Sequence, residues 1–413
     1  MEKDKLEPKL RFPGFTEPWE HRKLATIATF AKGRGYSKND LTDRGTPLIL
    51  YGRLYTNYSS AIETVDTYAK PLIGSVYSKG GEVIVPASGE TAEDIARASA
   101  VISKGFLLGG DLNIINPNSE IDPVFLALQL SNGYLKKELA SKAQGKSVVH
   151  IHNSDLENLQ IIYPSLVEQM KVSTCIRMFD HLITLHQRKE EELQKLKKGL
   201  LQKMFPKDGE SVPEVRFPNF TNTWEQRELT CLIRLERGLT YKPEDIREDG
   251  IRVLRSSNIV GDSFILAYDD VFVDPRVVNI PFSEDGDILI TAANGSSKLV
   301  GKHALIKGVK PETTVPGGFM FVGKTEYPDF VNALLSAPWY SRFIAKSTAG
   351  GNGAIGNLNK NSLMKTLIFK PSLSEMDCIG YMFSMIDSLI TLHHRKTEEL
   401  KKLKKALLQQ MFV

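Results

Sequence analysis

The chain has 413 residues, enough for two or three domains that each bury a core. Hydrophobic residues make up 41% and charged residues 25%, as in ordinary globular protein, and a net charge of +4 neither demands nor excludes nucleic acid as a partner. Cys175, Cys231 and Cys378 stand in no metal-binding spacing, the start MEKDKLEPKL lacks an apolar signal core, and no run of about 18 apolar residues occurs, so the expectation is a reduced, cytoplasmic protein without zinc, disulfides or a membrane span.

The first distinctive segment is RFPGFTEPWEHRKL at 11–24. It recurs as RFPNFTNTWEQREL at 216–229, with nine of 14 positions identical. After the first copy, Val83–Val85, Asn113–Ile115 and Gln160–Tyr163 read as short strands and Pro123–Ala140 as a helix. Residues 176–205 then show helical periodicity, with Leu182, Leu185, Lys189, Leu193, Leu196, Leu200 and Met204 at steps of three and four. Beyond the second opening, Asp287–Thr291, Phe319–Val322 and Leu367–Lys370 read as strands and Tyr327–Lys346 as helical. A second stripe follows: Leu389, Leu392, Lys396, Leu400, Leu403, Leu407 and Met411. Segments 178–205 and 385–412 match at 21 of 28 positions without a gap. The copies are offset by 205 residues at their start and 207 at their end, so the chain is two tandem units, about 1–206 and 207–413.

Successive steps of four make the stripe a stutter rather than a strict seven-residue coiled coil. Each helix of this length spans about 42 Å. The expectation is that the two stripes bury each other in an antiparallel pair with pseudo-two-fold symmetry, through Leu182, Leu185, Leu193, Leu196 and Leu200 against Leu389, Leu392, Leu400, Leu403 and Leu407. The polar faces match as well (Thr184/Thr391, His186/His393, Gln202/Gln409), which core packing alone does not require. The histidines read as surface or packing residues rather than metal ligands. The many lysines read as a solvated face, or as a surface for partner subunits or DNA backbone.

The regions between the shared ends have diverged, but their features keep one order. Gly33, Tyr36, Asp40 and Gly45 match Gly238, Tyr241, Asp245 and Gly250, and Gly109–Gly110 matches Gly317–Gly318. One α/β (α+β) fold used twice is the economical reading. Its loops carry residue types that read nucleic acid: Lys32, Arg34, Tyr36, Lys38, Tyr51, Arg53, Gln144 and Lys146 in the first copy, and Arg237, Tyr241, Lys242, Arg255, Ser256, Asn258, Asn294 and Asn352 in the second. Arginine can bond guanine bidentately, asparagine and glutamine can do so with adenine, and lysine and serine hold phosphates. Glycines would let backbone approach the phosphate chain. Any one of these residues also fits an ordinary solvated loop; their recurrence at equivalent places favours a shared binding edge.

Catalytic motifs are not apparent. Gly318–Thr325 formally matches GxxxxGK[ST], but its bulky middle residues read as strand and Pro328 follows closely, so nucleotide binding is not expected there. No Pro-Pro pair or FxGxG string supports methyl transfer, and the E-x-K strings at Glu7 and Glu399 lie in the N-terminal arm and on a helix.

Two variable domains, each ending in a PSLxEQ-like sequence and an HxRKxEELxKLKKxLLQxMF helix after an RFPxFTxxWExRxL opening, resemble the DNA-specificity subunit of Type I restriction–modification systems. The second copy departs mildly, with Ser374-Glu375-Met376 where the first has Val167-Glu168-Gln169. The resemblance implies two target-recognition domains (1–175 and 207–382) and two long helices (176–206 and 383–413). It implies a non-catalytic subunit that reads a split, asymmetric site in double-stranded DNA, each domain taking one half and the helices setting the gap. The partners implied are two methyltransferase subunits and restriction/translocase subunits. Those chains, not this one, would use S-adenosylmethionine, ATP and Mg²⁺. Two other readings remain at this point: a scaffold that binds protein only, and a DNA-modifying enzyme with an unrecognised catalytic centre.

Overall fold

The computed structural model describes residues 8–348 and 356–412. The chain forms two compact units, one of residues 1–186 with 395–413, the other of residues 187–394. Each unit holds one insert and part of both long helices.

In the first unit, Glu82–Pro86 is buried at every position and lies at the centre of a five-stranded sheet. The order is Ala28–Lys32, Leu112–Pro117, Glu82–Pro86, Ser99–Val101, Ala61–Ile62. A smaller sheet joins Leu107–Leu108, Thr46–Ile49, Tyr68–Ala69 and Leu41–Thr42. The expected strand Gln160–Tyr163 pairs antiparallel with Glu20–Lys23, so it binds the opening segment of its own copy. The helix expected at 123–140 is two helices, Pro123–Ser131 and Gly133–Lys142. Asn132 turns extended between them (φ −141°, ψ 166°) and Gly133 takes φ 62°, a conformation cheap only for glycine.

The second unit repeats the plan. Ile288–Thr291, also fully buried, sits in a sheet ordered Arg234–Arg237, Met320–Lys324, Ile288–Thr291, His303–Leu305. A smaller sheet joins Ile246–Arg247, Val271–Val273, Ile251–Leu254 and Thr314–Pro316. Leu367–Lys370 pairs with Glu225–Glu228 as its counterpart does in the first unit. The helical region splits again, into Pro328–Ser336 and Pro338–Thr348, because Pro338 forces Ala337 into an extended conformation (ψ 157°).

The long helices are Leu166–Lys203 and Leu373–Met411. Both begin ten residues, nearly three turns, before the boundaries expected at 176 and 383. A PS dipeptide precedes each start. Ser372 Oγ accepts a hydrogen bond from the Glu375 amide at 3.3 Å, an N-cap that starts the helix there. At 38 residues, the first helix is about 57 Å long rather than 42 Å.

Within each unit the two helices run antiparallel. In the second unit Lys197 bonds Asp387 at 2.8 Å while Glu190 faces His394 at 3.4 Å, so one index rises as the other falls. In the first unit Lys404 pairs with Asp180, and Phe412 packs on Phe125, a residue of the insert, at 5.4 Å between ring centroids.

The inward face is not the leucine stripe. Leu182, Leu185, Leu196, Leu389, Leu392 and Leu403 are 37–51% exposed. Only Leu193, Leu200, Leu400 and Leu407 lean inward, half-buried. The positions turned in recur every seven residues: Gln169, Ile176, Ile183 and Thr397, Lys404, Met411 in the first unit, and Glu190, Lys197, Met204 and Met376, Phe383, Ile390 in the second. The strict heptad is therefore present, and the stutter belongs to an outward face. Several inward positions are polar because ion pairs replace leucines there. Lys197 is buried between Asp387 and Asp262 (3.0 Å). Burial opposes its charge, yet the two carboxylates hold the ammonium above the ordinary lysine range.

The repeated opening segments also have a structural role. Arg11 makes two bonds to the buried Glu168 carboxylate, at 2.9 and 2.8 Å. Arg216 does the same to Glu375, at 2.8 and 2.7 Å, and Trp224 Nε1 adds a third bond at 3.2 Å. Glu375 lifts the Arg216 guanidinium above its ordinary range. The RFP motif thus clamps the first turn of the long helix in its own unit.

Candidate nucleic-acid interface

In the second unit the strands Ile251–Leu254 and Met320–Lys324 and the short strand Ala293–Asn294 end around one open cavity of about 650 Å³. Four of the residues singled out in the sequence line it: Tyr241, Arg255, Ser256 and Asn294. Arg255 Nε is buried with no hydrogen-bond partner among the described residues, and its Nη2 reaches only the Asp269 carbonyl at 3.4 Å. Asn294 Nδ2 donates to Ser256 Oγ at 3.2 Å, and its Oδ1 accepts from the Ser296 amide. Of these side chains only Asn294 lies on a strand; Tyr241 and Arg255 lie on connecting segments and Ser256 on a short helical turn. Arg237 and Lys242 are exposed but do not line it; Lys242 Nζ lies 3.5 Å from Glu244.

Asn258 is a correction. It is fully buried, donates to the Ile265 carbonyl and the Asp270 carboxylate, and accepts from the Arg255 amide, so no polar atom faces a base. It holds the turn that carries Arg255. Asn352 lies outside the described residues.

In the first unit, Lys32, Arg34 and Lys38 are exposed on the segment leaving the strand Ala28–Lys32. The Arg34 guanidinium lies against Gly74, where a β-carbon would come within 2.6 Å of Nη1. Tyr36 has φ 63°, and its hydroxyl meets Ser75 Oγ at 2.5 Å and the Leu72 amide at 2.9 Å, so it holds the 72–75 turn beside Arg34. Tyr51 is 38% exposed and packs edge-on to Tyr55. Gln144 and Lys146 are exposed on a separate loop tied by backbone bonds between Gln144 and His150. Arg53 is a second correction. Its side chain is only 14% exposed, and its Nη1 and Nη2 bond Asp66 and the Thr64 carbonyl, which hold the guanidinium against the fold.

The matched glycines serve the fold and not a phosphate. A β-carbon on Gly33 would lie 1.8 Å from the Gly109 carbonyl oxygen, and one on Gly238 would lie 1.9 Å from that of Gly317. Two chain segments cross there in each unit, and only glycine leaves room. The phosphate-loop string also resolves into structure. Met320–Lys324 is a strand, and Lys324 Nζ bonds Asp287 at 2.6 Å and the Phe282 carbonyl at 3.3 Å. Among the described residues no group of three or more His, Cys, Asp or Glu is placed to hold a metal ion, and no helix is long and apolar enough to cross a membrane.

Residues missed in the sequence are Arg11, Glu168, Arg216, Glu375 and the Lys–Asp pairs. A signal existed for each: both members recur in both copies.

Residues 16–195 match the family model of the Type I restriction modification DNA specificity domain. The MjaVIII specificity subunit of Methanocaldococcus jannaschii, a Type I restriction enzyme component, is 24% identical over 322 residues, 74% of this chain and 73% of that one. The EcoKI specificity subunit of Escherichia coli K12 is 21% identical over 402 residues, covering 90% and 84%. Among solved structures, the Type I restriction–modification S subunit from M. genitalium shares the fold with a TM-score of 0.68 at 16% identity, over 99% of both chains. A chain from a study of assembly and conformational transition in the type I R-M system matches at a TM-score of 0.50 and 15% identity, over 98% of each chain. Through its duplicated inserts and helix clamps the chain is similar along most of its length to the DNA-specificity subunits of Type I restriction–modification systems, and residues 16–195 match their specificity domain.

Proposed function

We propose that each insert reads one half of a bipartite, asymmetric site in double-stranded DNA, and that the long helices set the unread gap and dock two methyltransferase subunits. The observation that carries the reading role is the second unit's cavity, which Tyr241, Arg255, Ser256 and Asn294 line together. Such a set can bond base edges, while exposed lysines such as Lys32 and Lys38 in the first unit fit phosphate contacts. In the complex, Arg255→Ala or Asn294→Ala is expected to weaken binding by about 1–3 kcal/mol and relax one base position in one half-site. Lys38→Ala is expected to weaken binding to all sequences and to reduce its salt dependence. Mapping methylated sites with each variant checks this; equal damage to both half-sites from an Arg255 variant contradicts it.

The docking role rests on the outward helix faces. Met178, Leu182, Leu185 and Leu403 are exposed in the first unit. Met385, Leu389, Leu392 and Leu196, each 207 positions from one of them, are exposed in the second. Exposed apolar surface of this kind marks an interaction site, and two equivalent faces fit two copies of one partner. Restriction/translocase subunits would then join through the methyltransferases, and S-adenosylmethionine, ATP and Mg²⁺ would be held by those partner chains. Leu389→Ser with Leu392→Ser is expected to change the stability of the chain alone by about 0.5 kcal/mol per site. The same variant is expected to assemble with one methyltransferase instead of two. Native mass spectrometry distinguishes the outcomes, and an unchanged stoichiometry removes these faces from the interface.

A further inference from the structure

Phe319 sits at the rim of the second unit's cavity with 67% of its surface exposed. It is not a loose side chain on a loose loop. The Phe319 carbonyl accepts bonds from the Ala292 and Ala293 amides, at 2.8 and 3.0 Å, and the Met320 amide closes the turn onto the Gly317 carbonyl at 2.8 Å. Gly317 and Gly318 leave no slack: β-carbons there would come within 3.1 Å of Val253 and 3.2 Å of the Leu239 carbonyl oxygen. The backbone is thus pinned while the ring stands exposed at the cavity that Tyr241, Arg255 and Asn294 also line.

The first unit has a matching glycine pair with a different residue and backbone at the tip, where Asp111 takes φ 55° and Phe319 has no positive φ. Gly109-Gly110-Asp111 matches Gly317-Gly318-Phe319, and the Asp111 carbonyl accepts from the Ala87 amide at 2.7 Å. An acid at that tip repels phosphate and has no π-face; phenylalanine has a π-face and no charge.

We propose that Phe319 is a wedge that stacks on a base of the second half-site and partly unstacks the neighbouring step, with no counterpart at the first. The inference rests on the reading assigned to this cavity. The occupant is DNA and not protein because the exposed ring lines the same cavity as Tyr241, Arg255 and Asn294, groups that can bond base edges. Apolar wedges of this kind open a base step and bend the duplex towards greater contact. The wedge makes the second half-site sensitive to how easily its steps unstack, a form of sequence reading that needs no hydrogen bond.

The test uses the chain assembled with its methyltransferase subunits on duplex DNA carrying 2-aminopurine at single positions. With the native chain, fluorescence is expected to rise at one step of the second half-site and at none in the first. Phe319→Ala is expected to abolish the rise and weaken binding about tenfold or more, the range of a lost base–aromatic stack. Phe319→Trp is expected to restore both. No rise with the native chain, or a rise that survives Phe319→Ala, overturns the proposal. The Arg255 and Asn294 variants separate it from the underlying reading. If they alter the second half-site while fluorescence stays flat, only the wedge fails; if they leave that half-site unchanged, the reading of the cavity fails as well.

Discussion

Replacing Arg216 by alanine is expected to destabilise the second unit by about 3–5 kcal/mol, the cost of stranding a buried charge without its partner. Glu375 is 2% exposed in its side chain, and Arg216 supplies two of the three side-chain bonds to its carboxylate. Without the guanidinium, Trp224 Nε1 alone cannot offset the desolvation of that carboxylate. The unfolding midpoint in urea reads the loss. Arg216→Met with Glu375→Met is expected to recover much of it, since apolar residues of similar volume carry no charge to strand. If the single variant is as stable as the native chain, the clamp contributes nothing and the recurrence of the RFP motif has another cause. Lys197 behaves similarly, with a pH signature. Its pKa is raised in the folded chain. Its contribution is therefore complete below the ordinary lysine value of about 10.4 and is lost as pH rises through the folded value. Lys197→Met should remove that alkaline dependence.

A fragment of residues 1–206 is expected to pair with a second copy of itself and, with methyltransferase subunits, to modify a palindrome built from the first half-site twice. The expectation follows from the ion pairs. Lys404 bonds Asp180 in the first unit, and Lys197 bonds Asp387 in the second. Lys404 lies 207 residues after Lys197, and Asp387 lies 207 after Asp180, so each pair is the repeat image of the other. One fragment carries both Asp180 and Lys197 on a single helix. In an antiparallel dimer each Lys197 meets the other copy's Asp180, and each Phe205 takes the place that Phe412 holds against Phe125. Every group that the missing half contributed has a substitute. Polar groups at inward helix positions specify register and orientation, so Lys197→Glu should block the dimer and Lys197→Glu with Asp180→Lys should restore it. Methylome mapping in a host that carries only the fragment reads the site. An assembled fragment that still methylates the asymmetric site, or a charge-reversed fragment that dimerises as before, contradicts the account.

The sequence by itself determined the duplication, the family resemblance and most elements. Gln160–Tyr163 and Leu367–Lys370 have the extents read from the residue pattern of the sequence. Local preference suffices for such segments, because β-branched runs and helix stop signals act within a few residues. The location of the reading cleft was also partly legible. Tyr241, Arg255, Ser256 and Asn294 line one cavity because the segments that follow or flank the strands come together at one edge.

Tertiary structure decided which side of each element faces in. The leucine stripe satisfies helical periodicity, yet Leu196 and Leu403 are each 51% exposed and Lys197 and Thr397 are buried. A helix can bury either of two overlapping faces; the choice depends on what the opposite helix offers. Here it offers carboxylates, and Asp387 lies 190 residues from Lys197. Asn258 and Arg53 passed as base readers for the same reason, since a side chain is free or engaged according to partners such as Asp270 and Asp66. Phe319 read as the start of a strand, which is locally sound. Only the crossing of Gly238 over Gly317 fixes the turn that holds its ring outward. Periodicity records that an apolar group needs cover, while the fold determines whether that cover comes from this chain or from a partner.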